Sequence, residues 1–310
     1  MFGLTAIKVL AMIAYGAPGF ILVKVKALGE KHISAFAVFL LYVCQPALSV
    51  YALDSVDCTP EILKNMAVFF AVTLVAQIAI ISVYSLVFRK KLADAAHRIC
   101  AVAGACGNVG FLGIPLLEQL LPDHPEALAY SATFSVSMNV IAWTLGLALI
   151  TGDKKFIGLK NLLLNPATLA FIVSFPLFVA GVKIPSAVGR YIETLGRMST
   201  PVCMTVLGMR LALRKFRSVF SDGRVYLAAI SKLLVFPALT ALLFLPIPVD
   251  QSVKSAAFIL CSCPAAAMIQ SLAETHGGDS GIAADVVLST SLICVLSIPA
   301  AWTVYNVIFG

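Results

Sequence analysis

The chain has 310 residues, of which 60% are hydrophobic and 12% are charged, and it carries a formal net charge of +7. Its mean hydropathy is +0.99. A soluble globular domain is only about 45–50% apolar and about 25% charged, so this composition excludes that class and indicates a polytopic helical membrane protein.

Apolar runs of roughly 20 residues, the length that crosses a bilayer as a helix, recur along the chain. The first run has no basic segment before it and no small-residue cleavage site after it, so we interpret it as a span and not as a signal peptide. The runs predict ten membrane-spanning helices, spans 1 to 10, at about 4–23, 33–53, 62–88, 97–121, 126–151, 164–182, 187–209, 225–246, 252–273 and 283–308.

Lysine and arginine residues gather in the loops after spans 1, 3, 5 and 7, whereas the loops after even-numbered spans carry mainly Asp and Glu. The positive-inside rule therefore predicts a multi-pass protein of the cell membrane with both termini on the extracytoplasmic side. The loop after span 9, ETHGGDSG, has no Lys or Arg and adds nothing to this argument. Because the positive charge follows the loops, we expect the lipid bilayer as a partner and no nucleic acid.

The ten spans divide into a first five-helix repeat at residues 1–151 and a second at 162–310, joined by a short cytoplasmic linker at 152–161. Since five is an odd number, the second repeat enters the membrane from the opposite side, as in inverted-repeat transporters. Spans 4 and 9 are interrupted at corresponding positions, by CGNVGFLGIP and CSCPAAAMIQS. The predicted fold is all-α, with two inverted repeats and broken, crossing helices 4 and 9.

Both interruptions contain a proline, which has no N–H and leaves the carbonyl four residues earlier without its helical partner. Pro115 does this to Phe111, and Pro264 does it to Leu260. Broken backbone at membrane depth is tolerated only where protein or a water-filled cavity satisfies it. We therefore expect spans 4 and 9 to cross, with the N–H groups that start each half-helix holding an anion. A pair of proline kinks with packing glycines is the alternative.

The residues predicted to bind the substrate are Gly107, Asn108, Val109, Gly110, Pro115, Cys263, Pro264, Ala265, Asn139 and Gln45. Gln45 could equally satisfy the carbonyl that Pro46 leaves free.

The candidates for ion coupling are Gln270, Glu274, Asp285 and Lys232. Oxygen atoms of Asn108, Gln270 and Glu274 would suit Na+, which takes hard oxygen ligands. Alternatively Glu274 or Asp285 carries a proton, or Glu274 is a plain interfacial carboxylate. For Lys232, the two interpretations are an ammonium that extends to the cytoplasmic surface and an ammonium that pairs with an anionic substrate or with Asp285. No metal site and no cofactor is expected, and coupling to Na+ or H+ stays open.

The chain carries no GxSxG elbow, no HExxH zinc motif and no paired intramembrane Asp motif, so we expect no enzyme. Its four histidines fall in or beside loops and do not converge by spacing. A secondary carrier is the favoured function. A membrane sensor that kept a carrier fold without transport is a further hypothesis.

Three segments carry a family resemblance. They are the run from Asn108 to Leu117, NVGFLGIPLL, the run PVCMTVLGMRLA from Pro201, and Pro264 with the later LAETHGGDSGIAADVVLSTSLICVLSIP. The chain resembles the auxin efflux carrier (PIN-like) family of the bile/arsenite/riboflavin transporter superfamily, and its short central loop is similar to bacterial members.

The resemblance implies a scaffold of helices 1, 2, 6 and 7 and a transport part of helices 3–5 and 8–10. It also implies elevator-type alternating access for small organic anions, either dicarboxylates or auxin-like carboxylates, and a homodimer through the scaffold. Cys263-Pro264-Ala265 lacks the polar neighbour of auxin carriers, which argues against auxin itself. A sodium-coupled carrier similar to the bile-acid symporters is the alternative.

Overall fold

The computed structural model describes residues 2–157, 162–163 and 165–309, and within these residues the chain is helical apart from its connections. Residues 158–161 of the predicted linker and residue 164, which begins predicted span 6, lie outside the described residues. The main helices are α1 (Phe2–Lys24), α2 (Glu30–Asp54), α3 (Pro60–Val87), α4 (Ala95–Ala105), α5 (Val109–Leu120), α6 (Ala127–Thr151), α7 (Pro166–Val179), α8 (Ser186–Arg197), α9 (Ser199–Leu213), α10 (Gly223–Phe244), α11 (Gln251–Ser262), α12 (Ala267–His276) and α13 (Ser280–Phe309).

Six of these helices, α1, α2, α3, α6, α10 and α13, are long and apolar enough to cross a membrane, with 22 to 30 residues each. At about 1.5 Å per residue even the shortest exceeds the roughly 30 Å of the hydrocarbon core. The remaining predicted spans are divided or short. Predicted spans 4, 7 and 9 correspond to the pairs α4–α5, α8–α9 and α11–α12, and predicted span 6 corresponds to α7, which has 14 residues.

Three π-turns each end two residues before a proline. They are Leu40–Cys44 before Pro46, Val109–Gly113 before Pro115 and Ser231–Val235 before Pro237. A proline ring clashes with the carbonyl four residues earlier and cannot donate to it. A wider turn moves that carbonyl aside, so α2, α5 and α10 continue past their prolines with a local change of direction.

The helices pack in two groups, which meet along an extensive contact between α1 and α13 and a smaller one between α2 and α6. In one group α1 lies along α9, and α2 contacts α7, α8 and α9. In the other, α3 packs on α4, α6 and α10, while α13 packs on α4, α10, α11 and α12. The α1–α9 contact is very close, since a Cβ atom on Gly208 would lie 1.9 Å from the carbonyl oxygen of Gly16. Small residues let membrane helices approach in this way.

One arginine joins the N-terminal ends of α4 and α10, two helices that pack against each other. Asp94 caps α4 by accepting the N–H of Ala96 at 3.0 Å, and Asp222 caps α10 by accepting the N–H of Arg224 at 2.8 Å. The guanidinium of Arg224 pairs with both carboxylates. The Ala96 N–H lowers the pKa of Asp94, and the hydrogen bond from Arg224 lowers the pKa of Asp222.

We expect Arg224→Gln to lower the midpoint of thermal unfolding at pH 7 by roughly 2–4 °C, which corresponds to about 1 kcal/mol for a partly exposed ion-pair cluster. Because folding depresses both carboxylate pKa values, their stabilisation is present above about pH 4 and is lost as the pH falls through the folded-state values. The difference from wild type should therefore shrink in acid. Arg217→Gln is the control, as Arg217 forms no ion pair within the described residues. A difference that stays constant down to pH 3 would contradict this assignment.

Candidate functional site at a helix crossover

The two interrupted segments lie against each other and exchange backbone hydrogen bonds. Helix α4 ends at Ala105 and α11 ends at Ser262, and the next residues of each chain segment, Cys106 and Cys263, are extended. The N–H of Asn108 donates to the carbonyl of Pro264 at 2.8 Å, and the N–H of Ala266 donates to the carbonyl of Cys106 at 3.0 Å. These two bonds form an isolated antiparallel bridge between Gly107 and Ala265.

Hydroxyl groups from three neighbouring helices bond to three further backbone groups of the broken segments. The Ser131 hydroxyl on α6 donates to the carbonyl of Val109 at 3.0 Å, and Thr290 Oγ1 on α13 accepts the N–H of Ala265 at 3.1 Å. Thr200 on α9 donates to the carbonyl of Phe111, the group that Pro115 leaves without a helical partner.

The carbonyl of Leu260, which Pro264 deprives of its helical donor, accepts the N–H of Cys263 at 3.2 Å.

Sequence reasoning missed Ser131 and Thr200 as site residues. The available signal was the freed Phe111 carbonyl, which requires a donor but does not say which helix provides it.

A cavity of about 20 Å³ lies where the second half-helices α5 and α12 begin. It is lined by Gln45, Gly107, Asn108, Val109, Gly110, Phe111, Ser135, Met138, Ala266, Ala267 and Met268. This volume holds about one water molecule. Within the described residues the N–H groups of Gly110, Phe111, Ala267 and Met268 have no backbone acceptor. We call this space the crossover cavity.

Asn108 and Gln45 bring two side-chain amides to the crossover cavity. Asn108 is buried and donates to the sulfur of Cys203 at 3.9 Å, a long and weak bond. The Gln45 side chain forms no hydrogen bond in the described part of the chain, so the alternative in which it satisfies the carbonyl freed by Pro46 is not observed. Free N–H groups, two amides and no carboxylate are features that suit an anion.

The other predicted substrate residues are placed differently. Cys263, Pro264 and Ala265 are buried and form the paired backbone of the crossover, not the cavity wall. Pro115 faces a separate cavity. Asn139 is buried in α6 with its side-chain oxygen unpartnered, and it does not line the crossover cavity.

Two larger cavities lie near opposite ends of α2. The Lys8 cavity, of about 290 Å³, includes Lys8, Tyr51, Pro115, Arg197 and Thr200 in its wall. The arginine cavity, of about 310 Å³, is lined by Glu30, Ile33, Ser34, Arg210, Leu213, Arg214, Gln270, Glu274, Ser280, Gly281 and Ala284. Thr200 therefore contacts both the crossover backbone and the Lys8 cavity.

Three of the four ion-coupling candidates are at or next to the arginine cavity, and two of them are paired. Arg210 contacts Glu274 at 3.2 Å, and Arg214 contacts Asp285 at 2.6 Å. The Gln270 amide donates to Glu274 at 2.8 Å. Asn108 lines the crossover cavity instead, so the predicted cation cluster of Asn108, Gln270 and Glu274 is not assembled in this structure.

Lys232 neither extends to the cytoplasmic surface nor pairs with Asp285, two of the interpretations made from the sequence. Its side chain is fully buried and does not extend to a surface, although the lysine stem is long enough to do so from a helix end. Asp285 is paired with Arg214, so it is not the partner of Lys232. The Lys232 ammonium donates instead to the backbone carbonyl of Cys261 at 2.6 Å.

Comparison with known proteins places this architecture among transporters. A family profile described as "Membrane transport protein" matches residues 4–161 and 154–302. The chain is similar to the "Uncharacterized transporter YfdV" of Escherichia coli strain K12, with 28% identity over 137 residues, which is 42% of this chain and 43% of the relative. The same values hold for the proteins of that name from Escherichia coli O157:H7 and Shigella flexneri. The matched region thus spans less than half the length of these curated relatives.

We expect Thr200→Val to destabilise the protein by about 1 kcal/mol or more, because the buried carbonyl of Phe111 loses its donor. Thr200→Ser keeps the hydroxyl and should retain near-wild-type stability. Thr205→Val is the matched control. Thr205 lies on the same helix as Thr200, and its more exposed hydroxyl donates to the carbonyl of Tyr15 on α1. Thermal unfolding of the purified variants is the measurement. Equal midpoints for Thr200→Val and Thr205→Val would contradict the role given to Thr200.

Proposed function

The chain belongs to the auxin efflux carrier-like family of membrane transport proteins, and from this premise we propose that it is a secondary carrier of small organic anions. The substrate binds at the crossover of α4–α5 with α11–α12. The proposal includes ten membrane spans in two inverted five-helix repeats, residues 1–151 and 162–310. Both termini are extracytoplasmic, and the protein resides in the cell membrane.

One observation carries the proposal. The N–H groups of Gly110 and Phe111 on α5 and those of Ala267 and Met268 on α12 border a single cavity without backbone acceptors. The dipoles of two half-helices therefore add at one point, where negative charge is favoured. A carboxylate with two oxygens can accept from both helix starts, while the amide of Asn108 fixes its orientation.

The surroundings favour a small acid. The crossover strand Cys263-Pro264-Ala265 adds no polar side chain for a large ring system. Apart from Gln45, Asn108 and Ser135, the cavity wall consists of Gly, Ala, Val, Phe and Met. Dicarboxylates such as malonate or malate fit this chemistry, and an auxin-like carboxylate is the alternative substrate.

Substrate entry requires movement, because a volume of about 20 Å³ does not admit a dicarboxylate. The Lys8 cavity and the arginine cavity provide approaches near opposite ends of α2. The two packing groups support an elevator-type motion, in which α3–α6 and α10–α13 shift against α1, α2 and α7–α9. The latter group is also the proposed surface for a homodimer.

Ion coupling is part of the proposal. Glu274 and Asp285, with Gln270 beside them, are the candidates for proton coupling from the arginine cavity, where Arg210 and Arg214 hold the carboxylates. Protonation of either carboxylate would release its arginine, and that change would be linked to opening of the cavity.

We expect saturable uptake of radiolabelled malonate or malate into proteoliposomes under an imposed Na+, H+ or potential gradient. Asn108→Ala should abolish it, because the variant loses the side-chain amide at the carboxylate. Asn65→Ala is the matched control, since Asn65 is equally buried and bonds to Tyr130 away from the crossover cavity.

Normal uptake by Asn108→Ala would contradict the assignment of the substrate site to the crossover. Binding of the labelled acid by wild type without uptake under any gradient would favour the non-transporting sensor. A strict requirement for a Na+ gradient would favour the alternative of a sodium-coupled carrier similar to the bile-acid symporters.

A further inference from the structure

Lys232 is a buried cation within the packed helices. Its side chain has no exposed surface, and none of the ion pairs among the described residues includes it. An ammonium in this environment is costly unless it has a function or compensating contacts. Two contacts are present. Nζ donates to the carbonyl of Cys261 at 2.6 Å and lies 4.6 Å from the centroid of the Phe236 ring.

Both contacts favour the charged form of the side chain. A distance of 2.6 Å is typical of a charge-assisted hydrogen bond, and an aromatic face attracts a cation. Cys261 lies in the last turn of α11, where the helix dipole places negative partial charge. The ammonium therefore compensates the carbonyl end of a half-helix.

This ammonium also touches the crossover. A Cβ atom added to Gly107 would lie 3.1 Å from both Nζ and Cε of Lys232. On its other side the Gly107 backbone pairs with Ala265, and the N–H groups that begin α5 and α12 follow directly. The crossover thus has a fixed positive charge at the carbonyl end of α11 and free N–H groups at the starts of α5 and α12.

Carriers with discontinuous helices commonly bind the anionic group of the substrate at half-helix N-termini and bind Na+ at unwound carbonyls and half-helix C-termini. Here the carbonyl of Cys261, at the C-terminus of a half-helix, already accepts a hydrogen bond from the Lys232 ammonium. We propose that the Lys232 ammonium holds the cation position of the crossover, so that the protein binds its anion without Na+. This inference rests on the proposed function and specifies its coupling.

The remaining oxygen ligands support the same assignment. Glu274 and Asp285 are engaged by Arg210 and Arg214 at the arginine cavity, away from the crossover cavity. Around Lys232 the nearby titratable groups are the thiols of Cys106, Cys261 and Cys263, and soft thiols are poor ligands for Na+.

The test uses purified full-length protein and measures malonate binding by calorimetry in NaCl, KCl and choline chloride at equal ionic strength. Wild type should bind with the same affinity, within twofold, in all three salts. Lys232→Ala should bind at least tenfold more weakly in KCl and choline chloride, and NaCl should restore part of this affinity because the vacated carbonyl accepts Na+. Lys232→Arg should keep salt-independent binding.

Lys24→Met is the matched control, since Lys24 also donates to a backbone carbonyl, that of Ala212, and faces a ring, that of Phe20, but lies at an exposed helix end. It should bind like wild type. Thermal unfolding in the same salts provides a readout that does not depend on the substrate. Wild type should show no Na+-specific shift, and Lys232→Ala should gain one of roughly 2–4 °C.

A Na+-specific shift in wild type, or Lys232→Ala that lacks one, overturns the inference. Unchanged malonate affinity in Lys232→Ala overturns it as well and leaves Lys232 a packing residue. If wild type binds no dicarboxylate, the proposed function fails for that substrate, while the thermal shifts still decide the role of Lys232. If Lys232→Ala does not fold, the wild-type and Lys232→Arg salt series decide.

Discussion

Backbone groups that leave a helix inside a membrane need hydrogen-bond partners from the protein. At the crossover, the interrupted segments after α4 and α11 must both find such partners at one place. An unpartnered N–H or C=O group in hydrocarbon costs several kcal/mol. The bridge between Gly107 and Ala265 satisfies each broken segment with the other. Neither interruption would be stable alone, so the close approach of the two segments is a condition for the fold as well as the origin of the candidate site.

Not every backbone group freed by the interruptions is satisfied by other backbone groups. Carbonyls and N–H groups differ in how they are satisfied. Carbonyls are taken by Ser131, Thr200 and the Lys232 ammonium. Amide N–H groups at the starts of α5 and α12 are left facing the crossover cavity. Donors from the surrounding helices thus bond to three of the freed carbonyls, whereas the N–H groups that border the cavity have no backbone acceptor. This arrangement is the physical basis of the anion site that we propose.

The sequence predicts the parts of this arrangement that depend on residue type. Pro115, Pro264 and the glycines locate the interruptions, and composition gives the membrane class. Contacts between distant helices are not encoded in such local patterns. Nothing around Thr200 marks it as the donor to Phe111, 89 positions away along the chain. The interpretation that Lys232 extends to the surface follows from the habit of lysines two turns from a helix end, and the packing of α4, α11 and α13 around its turn prevents this.

The most direct test of the crossover site is a cryo-EM structure of the protein with bound malonate. We expect density for the acid between the starts of α5 and α12, in a cavity widened around Gly110 and Ala267, with one carboxylate within hydrogen-bond distance of Asn108. Density at Arg210 and Arg214 alone, with the crossover cavity still closed, would contradict the assignment of the substrate site.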